Sequence, residues 1–144
     1  MNTIGFYIDG SKKLPILPKN LSTWLYLPNL ENFKMGLVDF YKTHGEMPKL
    51  VSINHDLTDE HISLELRRPA GRKIEYEMFK ADTGLHVSKA LIEFAIANKI
   101  FLNQVVVHGL NMQGNNSIIQ MVNDYYKLCG QELSAYQQNW EYEK

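Results

Sequence analysis

Ile4, Phe6 and Ile8 alternate with Thr3, Gly5, Tyr7 and Asp9, the period of a strand with one buried face. Asp9-Gly10 follows as a hairpin-type turn, and the returning stretch Lys12 to Leu17 carries Pro15, which confines it to a sheet edge. Trp24 to Leu27 is a further short strand. Asn29 then offers an N-cap, Glu31 sits in the first turn, and Phe33, Leu37, Val38 and Tyr41 share a helical face that Gly45 and Pro48 bring to a stop. Leu50, Val51 and Ile53 open the next strand.

Ile62, Leu64 and Leu66, then Ile74, Tyr76 and Met78, alternate on either side of Arg68-Pro69-Ala70-Gly71, which predicts a hairpin. The register that pairs Leu66 with Tyr76 also sets Arg67 against Glu75 and is favoured by that opposite-charge pair. A second helix is expected from Asp82 or Thr83 to about Asn98, apolar around most of its circumference, so its outer face needs a cover. Val105 to Val107 reads as a central strand. A third helix is expected to open at Ser117 with the capping box Ser117-x-x-Gln120 and to bury Ile118, Met121, Val122 and Tyr125. For 131–144 the pattern leaves strand and helix both open.

These elements predict one domain, 1–144, of the α+β class: a mixed, mostly antiparallel sheet of about five or six strands with three helices. The alternative is a three-layer α/β arrangement, because the C-terminal part reads β-α-β. The length of 144 residues fits one domain, and 44% hydrophobic with 22% charged residues is ordinary globular usage. Fifteen basic against sixteen acidic residues argue against a general nucleic-acid binder. The single Cys129 excludes an internal disulfide and a multi-cysteine zinc site. Neither a signal-like leader nor a spanning segment is visible, so a cytoplasmic location without membrane contact is expected.

The most suggestive chemistry lies between His108 and Ser117, where a buried strand, a glycine-bearing loop and a helix N-terminus meet. Free backbone amides at such a junction favour anions, which makes Gly109, Asn111, Gly114, Asn115, Asn116 and Ser117 the expected anion-contacting residues. Gly109 and Gly114 have phosphate-loop spacing, but Asn115-Asn116 stand where a lysine and a hydroxyl residue would be needed, so nucleotide hydrolysis is not expected. His108, at the strand end, is the one residue singled out as a general acid or base. Arg67, Arg68, Arg72 and Lys73 cluster at the predicted hairpin tip, where they suit a polyanion or an acidic partner. His55-Asp56 and Asp59-Glu60-His61 hold metal-compatible groups without a recognised spacing, so neither metal nor cofactor is expected. Tyr136, Trp140 and Tyr142 are unusual in a C-terminal segment and are expected to pack back on the body.

Leu85-His86 and His108-Gly109 resemble paired signatures of the Smr family of small nucleic-acid-processing domains. Gly84 precedes the first pair where that family has Asp, no Gly follows His86, and the later loop lacks alternating glycines, so no family is assigned from them. The functional expectation is a non-enzymatic binding or interaction protein acting as a dimer. Its alternatives are a small enzyme or ligand-binding domain with an anionic-substrate site at the His108–Ser117 loop, and a nucleic-acid or acidic-partner binder acting through the Arg67–Lys73 tip.

Overall fold

The computed structural model describes residues 2–57 and 82–143. Among these residues five strands, β1 (Ile4–Ile8), β2 (Thr23–Leu27), β3 (Leu50–Asn54), β4 (Gln104–His108) and β5 (Tyr136–Gln137), form one sheet in the order β2-β1-β3-β4-β5. Every pairing is parallel, with Phe6 opposite Leu25 and Val51, and Val51 opposite Val105. The mostly antiparallel α+β sheet expected from the sequence is therefore wrong, and the architecture is α/β. The physical reason is at Asp9-Gly10. Instead of turning a hairpin there, Asp9 accepts a hydrogen bond from the Ser11 amide at 2.9 Å, and residues 9–22 cross over to bring β2 in parallel to β1. The hairpin predicted over 62–78, with its register, lies outside the described residues.

Among the described residues three helices, α1 (Leu30–His44), α2 (Gly84–Asn98) and α3 (Met112–Leu128), connect the later strands. Local chemistry fixes their ends. Asn29 caps α1 through the Asn32 amide, and Gly45 ends it with φ at 68°, a conformation that suits a residue without Cβ. Thr83 caps α2, with the His86 ring reaching back to the Thr83 amide. The third helix begins five residues before the expected Ser117. Asn111 is its cap and accepts from the Gly114 amide, while the Ser117 hydroxyl donates back to the Gln113 carbonyl.

The sheet has two unlike faces. Phe6, Ile8, Val51, Ile53, Val105 and Val107 point into a core with Phe33, Leu37 and Phe40 of α1, Val87, Leu91 and Ala95 of α2, and Ile118, Val122 and Tyr126 of α3. The β2-α1-β3, β3-to-β4 and β4-α3-β5 connections all advance in one direction, so right-handed crossovers put all three helices on that face. The β1-to-β2 connection runs the other way and, with the same handedness, covers the opposite face. It carries no helix. That face is closed by coil from 9–22 and by the C-terminal segment, through a small cluster of Leu21, Leu50 and Val106 with Trp24 and Trp140. Among the described residues no helix is long and apolar enough to cross a membrane.

Candidate functional site

The carboxyl ends of β1, β3 and β4 meet where the chain reverses its direction of travel across the sheet, the position at which open parallel sheets collect ligands. Three side chains converge there. Asp9 leaves the end of β1, His108 leaves the end of β4, and Ser52 stands on β3 between them. All three are buried, although Ser52 interrupts an otherwise apolar run. His108 Nε2 lies 2.9 Å from Asp9 Oδ2, and its Nδ1 lies 2.7 Å from Ser52 Oγ.

The partners assign the direction of each bond. Asp9 accepts from the ring N–H at Nε2, leaving Nδ1 to accept from the Ser52 hydroxyl, and the Ser52 oxygen in turn accepts from the indole N–H of Trp140 at 2.8 Å. On the other side, the Tyr7 hydroxyl donates to Asp9 Oδ2 at 3.2 Å and is itself joined to the Tyr142 hydroxyl. The result is a relay of six side chains running from Trp140 to Tyr142, in which the C-terminal segment closes both ends. Burial pulls the Asp9 carboxyl upward, but the hydrogen bond and electrostatic attraction of His108 and the Ser11 amide outweigh it and hold the group below the usual carboxylate range. Tyr7 is pushed far above the usual phenol range by burial, by its bond to Tyr142 and by the nearby Asp9 charge.

A second polar cluster lies beside the first. His55 Nδ1 is 3.1 Å from Asp56 Oδ1, and the Asn111 amide group donates to the same carboxylate oxygen at 2.9 Å. Glycines make room for it. A Cβ on Gly114 would overlap the His55 ring, one on Gly84 would overlap the Asn54 carbonyl, and Gly109, at φ 100°, lies against the Asn54 side chain.

The expected anion loop is thus divided. His108, Gly109, Asn111, Gly114 and Asn115 sit at this end of the sheet, whereas Asn116 and Ser117 are exposed on the first turns of α3. Two of its amides are engaged within the chain, Gly114 N by Asn111 Oδ1 and Asn115 N by the Asn111 carbonyl. At the neighbouring start of α2, Gly84 N donates to the His55 carbonyl and Leu85 N to Thr83 Oγ1. Asn115 is fully buried, and its amide nitrogen donates to the Gly109 carbonyl and to Gln137, but its Oδ1 has no partner among the described residues. On the same loop and helix start, Leu110 and Met112 are exposed apolar side chains, 84% and 53% exposed.

The basic residues Arg67, Arg68, Arg72 and Lys73 lie outside the described residues, as do Asp59, Glu60 and His61. Among the described residues no group of three potential metal ligands comes together. A cavity of about 180 Å³ lies near the ends of β2 and β3, lined by Asn29, Leu30, Glu31, Leu57 and Asp82, and another of about 330 Å³ lies between α1 and α2, lined by Leu37, Val38, Ala90 and Phe94 with Lys34 and Glu93. His108 lines neither.

Periodicity hid Asp9, Tyr7 and Ser52, because the polar side of β1 reads as a solvent face. The one sequence signal was Ser52, a polar residue inside an apolar strand. No family model, curated protein or solved structure matches the chain.

Proposed function

We propose that this chain is a binding protein that takes a ligand rich in hydrogen-bond donors at the carboxyl edge of its sheet. The observation that carries the reading is the polarity of that edge. The strand ends and the adjoining helix start carry the carboxylates of Asp9 and Asp56 and, left without a partner among the described residues, Asn115 Oδ1, while the Gly114, Asn115, Gly84 and Leu85 amides are engaged within the chain. A buried acceptor left unmade costs about 1–3 kcal/mol, so a hydroxyl or ammonium group delivered there regains a bond that the free protein lacks. Buried polar groups with exposed apolar side chains at Leu110 and Met112 nearby match the mixed composition of small-ligand sites.

Binding is favoured over turnover by the state of the relay. Ser52, His108 and Asp9 have the connectivity of an activated nucleophile, base and orienting carboxylate. Yet the Ser52 oxygen is already capped by Trp140, and all three groups are buried. The arrangement satisfies itself and holds the strand ends in place.

The test is an amide-resonance titration with a polyol, an alkylamine, inorganic phosphate and a nucleoside monophosphate. The polyol or the amine is expected to shift Gly109, Gly114 and the Asn115 side-chain amide together and saturably. Shifts produced by phosphate alone would restore the anion site. Unchanged resonances across the panel would remove the carboxyl edge as a binding site, and ester hydrolysis lost in Ser52→Ala would make the protein an enzyme.

A further inference from the structure

The face of the sheet opposite the helices holds residues 138–143 as an extended strap, seated through a short set of specific contacts. Gln138 N donates to the Val107 carbonyl, continuing the ladder beyond β5, and Ile16 N donates to the Glu141 carbonyl at 2.7 Å. Between these points Trp140 packs edge-to-face on Trp24, with ring centroids 5.3 Å apart, and delivers its indole N–H to the buried Ser52. Two residues on, Tyr142 reaches Tyr7. The seat therefore reads an indole N–H and a phenol O–H at i and i+2 of an extended chain, the spacing that puts both side chains on one face.

One polar group at this seat is left without a partner. The indole N–H of Trp24, beside Trp140, is buried with no hydrogen-bond partner among the described residues. The strap supplies two donors and leaves a third buried group, itself a donor, without an acceptor. A segment with the same aromatic anchors and a carboxylate or amide oxygen reaching Trp24 would satisfy one more buried group than the chain's own strap does.

We propose that this face is a docking site for an extended peptide of the Trp-x-Tyr type that carries a side-chain acceptor for Trp24, and that residues 138–143 occupy it in cis as an intramolecular competitor. A tethered segment competes at an effective concentration of order millimolar, so an incoming peptide meets a weakened but open site. The seat lies on the second face of the sheet and shares Ser52 and Tyr7 with the relay, but it does not include Asp56 or Asn115, to which the carboxyl-edge ligand is assigned.

The experiment uses the full chain carrying Trp140→Ala, in which Trp24 is the sole indole, and unlabelled hexapeptides based on 138–143. The parent peptide is expected to move the Trp24 indole resonance saturably, with at least tenfold tighter apparent affinity than for the unsubstituted chain, and its Trp→Ala version is expected not to bind. In a series with Gln or Asp placed in turn at the positions flanking Trp, the tightest peptide is expected to move the Trp24 indole proton downfield. Should Trp140→Ala fail to fold, Trp140→Phe keeps the ring and removes only the N–H, and the same readout applies. A folded variant whose Trp24 resonance ignores every peptide overturns the proposal. So does a concentration-dependent dimer of the unsubstituted chain that moves Trp24 without added peptide, since the occupant is then a second copy's tail. Shifts confined to Gly109 and Asn115 would overturn this proposal while leaving the carboxyl-edge reading intact.

Discussion

The phenol ring of Tyr7 lies flat on the imidazole of His108, with centroids 4.4 Å apart and planes 11° from parallel. Tyr7 therefore meets Asp9 and His108 in two ways, through its hydroxyl and through its face, and fixes the plane in which the His108 nitrogens reach Asp9 and Ser52. Positioning a buried ring so closely has a cost if the ring is removed.

His108→Ala leaves Asp9 and Ser52 buried with one partner fewer each and opens a void under Tyr7. A loss of about 3 kcal/mol in urea unfolding is expected, in the range for leaving a buried ionised carboxylate short of a hydrogen bond. A loss below about 1 kcal/mol would mean that the relay contributes little to the fold.

The acid limb of the stability profile follows from Asp9. Its carboxyl is held below its ordinary value in the folded state, so the folded protein binds fewer protons than the unfolded chain as pH falls. The associated stability is complete above the ordinary carboxylate range near about 4 and is lost as pH falls from there through the depressed value. Asp9→Asn is expected to flatten this limb. Chemical denaturation from neutral pH to about 2.5 checks it, and an unchanged slope would separate Asp9 from acid sensitivity.

The alkaline limb has the opposite sign. Tyr7 and Tyr142 are both raised above the ordinary phenol range, mainly by burial, so the fold favours their protonated forms. That stability is present below about pH 10 and lost as pH rises beyond it. Tyr142→Phe is expected to lessen the alkaline loss, checked by chemical denaturation from neutral pH to about 11.

Gly114→Ala and Ser117→Ala separate the observed start of α3 from the one expected from the sequence. Helix propensity favours alanine at 114 by about 1 kcal/mol. The new methyl group would overlap the His55 ring, however, and overpacking a buried contact costs about 1–3 kcal/mol, so a net loss is expected. Ser117→Ala removes only an exposed hydroxyl bonded within the helix and should fall within about 0.5 kcal/mol of the parent. The reverse order in thermal melts would restore Ser117 as the cap.

Self-association, expected from the apolar second helix, has a sharper test now that the outward residue is known. Ile96 is 59% exposed, so Ile96→Glu is expected to keep the fold. The dimer reading predicts association of the parent chain at micromolar concentration in sedimentation equilibrium and a monomer for the variant. A monomeric parent would leave that face simply exposed.

Local signals carried far in this chain, and they stopped where the argument became non-local. Asn29, Gly45 and Thr83 act at helix ends as the sequence indicated, because a cap is a transaction between neighbours. Strand direction is not. Asp9-Gly10 has the chemistry of a tight turn, but the Asp9 carboxylate is drawn to His108, and Gly10 is required by the Leu57 carbonyl pressed against it. The relay was hidden for the same reason: its members are spread over β1 and its end, β3, β4 and the C-terminal segment, and alternation marked Tyr7 and Asp9 as solvent-facing although they are buried. At α3, the glycine spacing drew attention away from Asn111, whose bond to the Gly114 amide is an ordinary capping signal.

An all-parallel sheet also bears on how the chain reaches this state. None of its described strand pairs is a hairpin, so no ladder can form by closing a short turn, and Ile4 must find Thr23 on one side while Gly5 finds Leu50 on the other. Each closure loses chain entropy before any bond returns it, which slows folding relative to helical domains of similar stability. The interior strands β1, β3 and β4 each need two such searches to agree, and β1 pairs on both sides with strands later in the chain. Substitutions there, at Phe6 or Ile8, are expected to slow refolding, whereas changes along the strap should act mainly on the rate of unfolding.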